Sequence, residues 1–179
     1  MPTPTTEPEI LPEPLRSIEM EMCALGAMLM LDDTAVTRGM ARLHMRHFPG
    51  ATHQTIFRAI CRLTRKRESG QAPGLASIDV MSVADELRRG GELERDARSG
   101  YLVALVTACP SAANLDYYAE TVIHWSKLRY LRALGDELGA RLLMPDAEPD
   151  RLANAARNAA AAIATHGHAD IKAIFDKEK

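Results

Sequence analysis

A chain of 179 residues with 46% hydrophobic and 26% charged side chains is long enough to bury a core, as one domain or a domain with an appendage. Its formal charge of -2 and pI near 6.3 give no basis for a global affinity for nucleic acid or membrane surfaces. Aromatics at 4%, against plentiful Ala, Leu, Arg and Met, favour helix over sheet, and no apolar run approaches the roughly 18 residues of a membrane span.

Residues 1–14, MPTPTTEPEILPEP, are rich in Pro, Thr and Glu, which withholds backbone donors and apolar surface alike. A flexible leader is expected there, without the basic and apolar character of a targeting segment. Ser17 then has N-cap chemistry, Glu19 and Glu21 suit the positive end of a helix, and Ile18, Met22, Leu25 and Leu29 recur at helical spacing. A first helix over 17–30 follows. Asp32 and Asp33 restart the chain, and Val36, Met40 and Leu43 mark a second, shorter helix. His44 to Gly50 reads as a connector anchored by Phe48. From about Thr52 a third helix carries Ile56, Phe57, Ile60 and Leu63 on one side before giving way to TRKRESGQAPG, a mobile loop by its Gly70, Pro73 and Gly74. Ser77 and Asp79 begin a fourth helix, stopped by Gly90 and Gly91, and a fifth around Gly100 to Ala108 presents Tyr101, Leu102, Leu105 and Val106.

The stretch from Pro110 to Leu143 dominates the chain. Pro110, Ser111 and Asn114 supply turn and cap chemistry, and no proline interrupts the helical pattern before Pro145. Thirty residues of helix extend about 45 Å, more than a domain of this size needs for its own core. Leu115, Tyr118, Val122 and Trp125 share one sector, whereas Leu131, Leu134, Leu138 and Leu142 lie on the opposite side. The first half is expected to pack on the preceding domain and the second to form one arm of a projecting hairpin. Gly135 and Gly139 each cost about 1 kcal/mol relative to Ala, either offset by close approach of another helix or simply tolerated. Pro145 and Pro149 bracket a turn, and Leu152, Ala155, Ala156, Ala159 and Ile163 form the narrow stripe of an antiparallel second arm. His166 to Lys179 reads as a weakly amphipathic tail with no partner of its own. The expected fold is therefore all-α: a leader (1–14), a compact helical head (15–113), an antiparallel helical hairpin (114–166), and a tail or start of a linker (167–179).

Catalytic constellations are hard to assemble. No GxxxxGK[ST] loop is present. His44, His47 and His53 invite a metal but lack carboxylate or thiolate ligands at compatible spacing, Cys61 being a poor supplement. Cys23, Cys61 and Cys109 are dispersed among apolar residues, as buried reduced thiols rather than a disulfide framework or a nucleophile. Glu19 and Glu21 are two apart on a helix and do not face each other as an acid and base pair. Arg58, Arg62, Arg65, Lys66 and Arg67 could touch phosphates, but a solvated helix end is the plainer reading. Trp125 and the Tyr117, Tyr118 pair could stack bases; their helical spacing favours core or interface packing.

PLRSIEMEMCALGAML at 14–29, Phe48, His53 with Ile56 and Phe57, Ser77-Ile78-Asp79, Leu93-Glu94, Tyr101-Leu102 and PSAANLDYYAETV together resemble the N-terminal domain of DnaB-type bacterial replicative helicases. Their order and approximate spacing agree from residue 14 to about 135. The resemblance implies a helical head and hairpin that self-associate into dimers and a collar of three dimers, which receives primase, while loader proteins engage the ring nearer the linker and motor. It also implies that ATP hydrolysis and DNA translocation belong to a RecA-type motor domain these residues do not contain. The chain departs from the pattern at Phe48-Pro49, at Ala97-Arg98 where Gly-Gly is usual, in a longer Arg65 to Ala76 region, and at Arg132, commonly an apolar hairpin position.

The expected function is thus non-catalytic: a cytoplasmic oligomerisation and partner-docking domain in DNA replication. No cofactor or metal is expected, and direct DNA binding is expected to be weak or absent. Leu131, Leu134, Leu138 and Leu142 are the candidate self-association residues, and Glu19, Tyr101 and Arg132 the candidate docking residues. Expected partners are further copies of the chain and primase, with a helicase loader or a full-length helicase as additional candidates. The alternatives are a stand-alone protein of this type that modulates a host helicase, and a small helical DNA-binding regulator reading DNA through its one basic helix.

Overall fold

The computed structural model describes residues 15–92 and 99–177, and every regular element among them is helical. The expectations for the leader, for Leu93-Glu94 and for Ala97-Arg98 lie outside the described residues. Eight α-helices follow in order: α1 (Ile18–Met28), α2 (Asp33–Arg42), α3 (Ala51–Glu68), α4 (Val80–Arg89), α5 (Ser99–Ala108), α6 (Leu115–Leu142), α7 (Pro149–His166) and α8 (Ile171–Lys177). Short 3-10 turns at Met45–His47 and Ala112–Asn114 precede α3 and α6.

The head is built around α1. Ser17 accepts from the Met20 amide at its start, and the run from Cys23 to Met28 is buried against α5 and α6. Gly26 makes the close packing possible, since a Cβ there would collide with the Leu105 carbonyl. Asp32 caps α2 through the Thr34 and Ala35 amides, and Asp79 caps α4 in a reciprocal box with Ser82. Leu25, Met28, Phe48, Ile56, Ile60, Ile78, Leu87, Leu102, Leu105 and Leu115 close one core. Full burial of each such side chain stabilises by roughly 1.5–3 kcal/mol.

Three sequence expectations shift. The third helix does not dissolve at Thr64 but continues to Glu68, because its last turns are tied to neighbouring helices. Asn114 makes no side-chain cap; Ser111 instead accepts from the Ala113 amide and caps the 3-10 turn. The tail has a partner after all: Ile171 and Phe175 of α8 fold back onto the hairpin and are buried beside Leu134 and Ile163.

α6 is continuous over 28 residues, about 42 Å, and serves both halves of the molecule. Leu115, Tyr118, Ala119 and Val122 belong to the head core. Further along, Leu134 enters a second core with Ala155, Ala159 and Ile163 of α7 and Ala169, Ile171 and Phe175. Ala155 and Ala159 let α7 approach closely. Pro149 opens α7, and Gly167, at φ 74, ends it in the left-handed conformation that glycine adopts freely.

Candidate functional site

Inside the head, a buried polar chain links three helices. The Glu21 carboxylate (α1), 2% exposed, accepts from His53 Nδ1 (α3), 3% exposed, at 2.6 Å. On the other side of the ring, Nε2 is hydrogen-bonded to the Tyr101 hydroxyl (α5), also at 2.6 Å. Arg16 approaches Glu21 at 3.4 Å, and burial, with the Glu21 charge, raises the Tyr101 pKa. Glu21 therefore does more than complement a helix dipole. The arrangement ties α1, α3 and α5 together, and the hydroxyl of Tyr101 is committed to it while its ring stays half-buried. Glu19 is exposed on the first turn of α1, within 3.4 Å of the Ser17 hydroxyl.

A second polar cluster joins head to hairpin. Arg129 of α6 donates to the Leu15 carbonyl at 2.7 Å and the His47 carbonyl at 2.5 Å. His47 Nδ1 accepts from the His44 amide at 3.1 Å, so its Nε2–H donates to the His166 carbonyl at 2.7 Å. Buried Ser126 donates to the Gly167 carbonyl at 2.8 Å. His168 stacks on His44 with centroids 4.4 Å apart and lies 5.3 Å from His47. Burial, followed by the neighbouring His44, His47 and Arg46, depresses the His168 pKa to about 4, and burial also lowers His44 and His47. His53 is turned away into the head, and among the described residues no three His, Cys, Asp or Glu side chains are placed to hold a metal ion. Cys23 and Cys109 are buried, Cys61 is half-buried, and desolvation raises all three thiol pKa values.

The basic end of α3 is not an open phosphate cradle, nor simply solvated. Arg62 reaches Glu86 at 3.1 Å and Glu92 at 2.6 Å, Lys66 reaches Glu86 at 2.7 Å, and Arg67 reaches Asp33 at 2.7 Å. These cations clamp α3 to α4 and α2; Arg65 alone of the four points into solvent as an exposed residue.

On the hairpin, the four candidate leucines divide. Leu134 is buried and Leu138 half-buried on the α7 side, whereas Leu131 and Leu142 are 48% and 58% exposed. The apolar stripe is wider than one helix can cover, so α7 takes one flank and leaves the other. Gly135 and Gly139 stand on that open flank, and a Cβ at either would meet nothing within 4 Å. Within the chain, no described helix approaches over them. Arg132 is exposed beside them, and Trp125 is only half-buried, edge-on to His124, rather than part of the head core. Near the tip, Arg141, Met144, Leu152, Lys172 and Phe175 line an open groove of about 690 Å³.

The family described as DnaB-like helicase N terminal domain matches residues 13–124, the whole head and the first third of α6. The chain belongs to this family. Among DnaB proteins, the replicative DNA helicase of Rhodothermus marinus is 38% identical over 109 residues, 61% of this chain and 11% of that protein. The replicative DNA helicase DnaB of Treponema pallidum is 36% identical over 122 residues, 68% of this chain and 26% of that protein. The chain thus spans about a tenth to a quarter of these curated relatives. A crystal structure of the N-terminal domain of DnaB helicase from Mycobacterium tuberculosis superposes with a TM-score of 0.71 at 28% identity, covering 83% of this chain and 99% of that one. The all-helical class is accordingly that of the DnaB N-terminal domain, and no described helix is long and apolar enough to cross a membrane.

Sequence reasoning missed Arg129, Ser126 and the relay from Glu21 to Tyr101. His53 and Tyr101 do stand among the residues that resemble DnaB, but nothing local pairs either with Glu21, which is 32 positions from His53.

Proposed function

We propose that this DnaB-family chain is a non-catalytic self-association and docking module of a replicative helicase, acting in the cytoplasm during DNA replication. The observation that carries the reading is the uncovered outer flank of the hairpin, where Leu131 and Leu142 remain exposed around two glycines with open space above them. A second copy is the natural occupant, giving dimers and, by repetition, a collar of three dimers that receives primase. Glu19, Tyr101 and Arg132 are its docking residues, and a loader or a full-length helicase would meet the same collar. Direct DNA contact is weak in this reading, because the basic end of α3 is neutralised by Glu86, Glu92 and Asp33.

Light scattering across a wide concentration range tests it. Dimers or larger species are expected, with Leu131→Glu and Leu142→Glu shifting them to monomer at unchanged helicity. A wild-type chain that stays monomeric at high concentration would count against the assignment. Mixing the chain with a full-length helicase and primase, and following pull-down and unwinding, separates a collar module from a modulator of another helicase.

A further inference from the structure

Where the chain enters the fold, one face of α6 stays open beside an excess of positive charge. Thr121, Trp125, Leu128 and Arg132 recur at i, i+4, i+7 and i+11 and so share a sector of about 60°. Trp125 and Leu128 are half-buried, Arg132 is exposed, and neither apolar side chain belongs to one of the two cores. Arg132 forms no ion pair among the described residues. Arg129, on the same turns, spends its hydrogen bonds on the neutral carbonyls of Leu15 and His47. Arg16 reaches Glu21, a carboxylate already held by His53, and its buried Nε has no hydrogen-bond partner among the described residues. Three guanidiniums thus stand against Glu21 and, one turn beyond Arg132, Asp136. Arg129 grips the Leu15 carbonyl, so the first described residue is tied to the same turns of α6.

That segment is chemically complementary. Residues 1–14 contain Glu7, Glu9 and Glu13 and neither Lys nor Arg. At the polyproline period of three, Pro8, Leu11 and Pro14 fall on one edge, and Glu7, Ile10 and Glu13 on the next. Aromatic surfaces accept such proline edges, and the guanidinium fork matches a carboxylate. We propose that residues 7–14 dock on the Trp125, Leu128 and Arg132 stripe of their own chain, proline edge to the indole and leucine, carboxylates to the guanidiniums. The reach suffices: eight residues extend up to about 26 Å, and the stripe from Trp125 to Arg132 is about 10 Å long. Tethering at Leu15 supplies an effective concentration in the millimolar range, so individually weak contacts hold the segment. Arg132 is shared with the docking role proposed above, but the proposal does not rest on what Leu131, Leu142 and the rest of the outer flank nearer the hairpin tip bind.

Trp125 is the single tryptophan, so its fluorescence reports this face alone. The full chain is compared with a chain starting at residue 14 and with the variant Glu7→Gln/Glu9→Gln/Glu13→Gln. The full chain should emit further to the blue and be quenched by acrylamide about twofold less, as for a face covered most of the time at millimolar effective concentration. The triple variant, and about 1 M salt with its screening length near 3 Å, should move it towards the shortened chain. A synthetic peptide of residues 1–14 added to the shortened chain should restore the shift. Arg132→Glu, a surface change, should shrink the difference between full and shortened chains with helicity unchanged, and an undiminished difference would count against the docking. Equal emission and quenching in full and shortened chains would overturn the proposal. So would protection that grows with protein concentration, which assigns the segment to a neighbouring copy. An oligothymidylate that shifts both chains equally would reassign the stripe to single-stranded nucleic acid.

Discussion

His53 touches a carboxylate on one helix and a phenol on another, the first contact buried and the second part-buried. Removing the ring leaves a buried Glu21 oxygen without its hydrogen-bond partner, so His53→Ala should lower stability by about 1–3 kcal/mol, read as a shift in the urea midpoint. The histidines at the hairpin base act differently, through pH. His44 and His47 each use Nδ1 as an acceptor, and His168 sits among cations and other imidazoles. Their folded pKa values lie below the unfolded value of 6.5, so the folded state binds fewer protons. Their contribution is complete above about pH 6.5 and is lost as pH falls towards 4. Thermal melts between pH 7 and 4.5 should show a falling Tm, with a shallower slope for His168→Asn. None of this was legible locally: the acidic first turn of α1 reads as dipole chemistry, and which carboxylate turns inward depends on a residue 32 positions away.

At the scale of elements, the leucines of α6 separate two roles that one periodic stripe conceals. Leu134→Ala opens the second core and should destabilise by about 2–5 kcal/mol. Leu131→Ala, on the open flank, should stay within about 0.5 kcal/mol in a denaturant titration while weakening self-association. Periodicity revealed the stripe, and the small residues of α7 revealed its partner, but how much of the stripe α7 covers depends on the distance of closest approach. The same limit applies to α3. Its charged last turns look like a fraying end until Glu86, Glu92 and Asp33 arrive from elsewhere in the sequence. The tail is the clearest miss. Ile171 and Phe175 look isolated at the end of the chain, yet Gly167 reverses the backbone and lays them on α6 and α7. Phe175→Ala should therefore cost about 3 kcal/mol or more in hairpin stability, measured by the urea unfolding of the hairpin.

Among the described residues, two hydrophobic cores are bridged by one helix. The head core gathers five helices and part of α6, whereas the second core is narrow and rich in alanine. Amides near the tip, around Ala140 to Leu152, should exchange with deuterium well before those of α1 and the buried turns of α3, as peptide-level exchange would show. The head and the projecting arm were both readable in advance, because capping residues and apolar spacing are local signals and the long helix outruns its own domain. What could not be read was the junction, which is made of backbone carbonyls caught by Arg129, His47 and Ser126.

An uninterrupted α6 also behaves as a strut rather than a joint. With no proline or loop between the head and the tip, the azimuth of the outer flank is set by residue count alone, at about 100° per residue. Gain or loss of a single residue between Ser126 and Leu134 would swing that flank more than a quarter turn, whereas a length change in the turn between α6 and α7 would leave its aim intact.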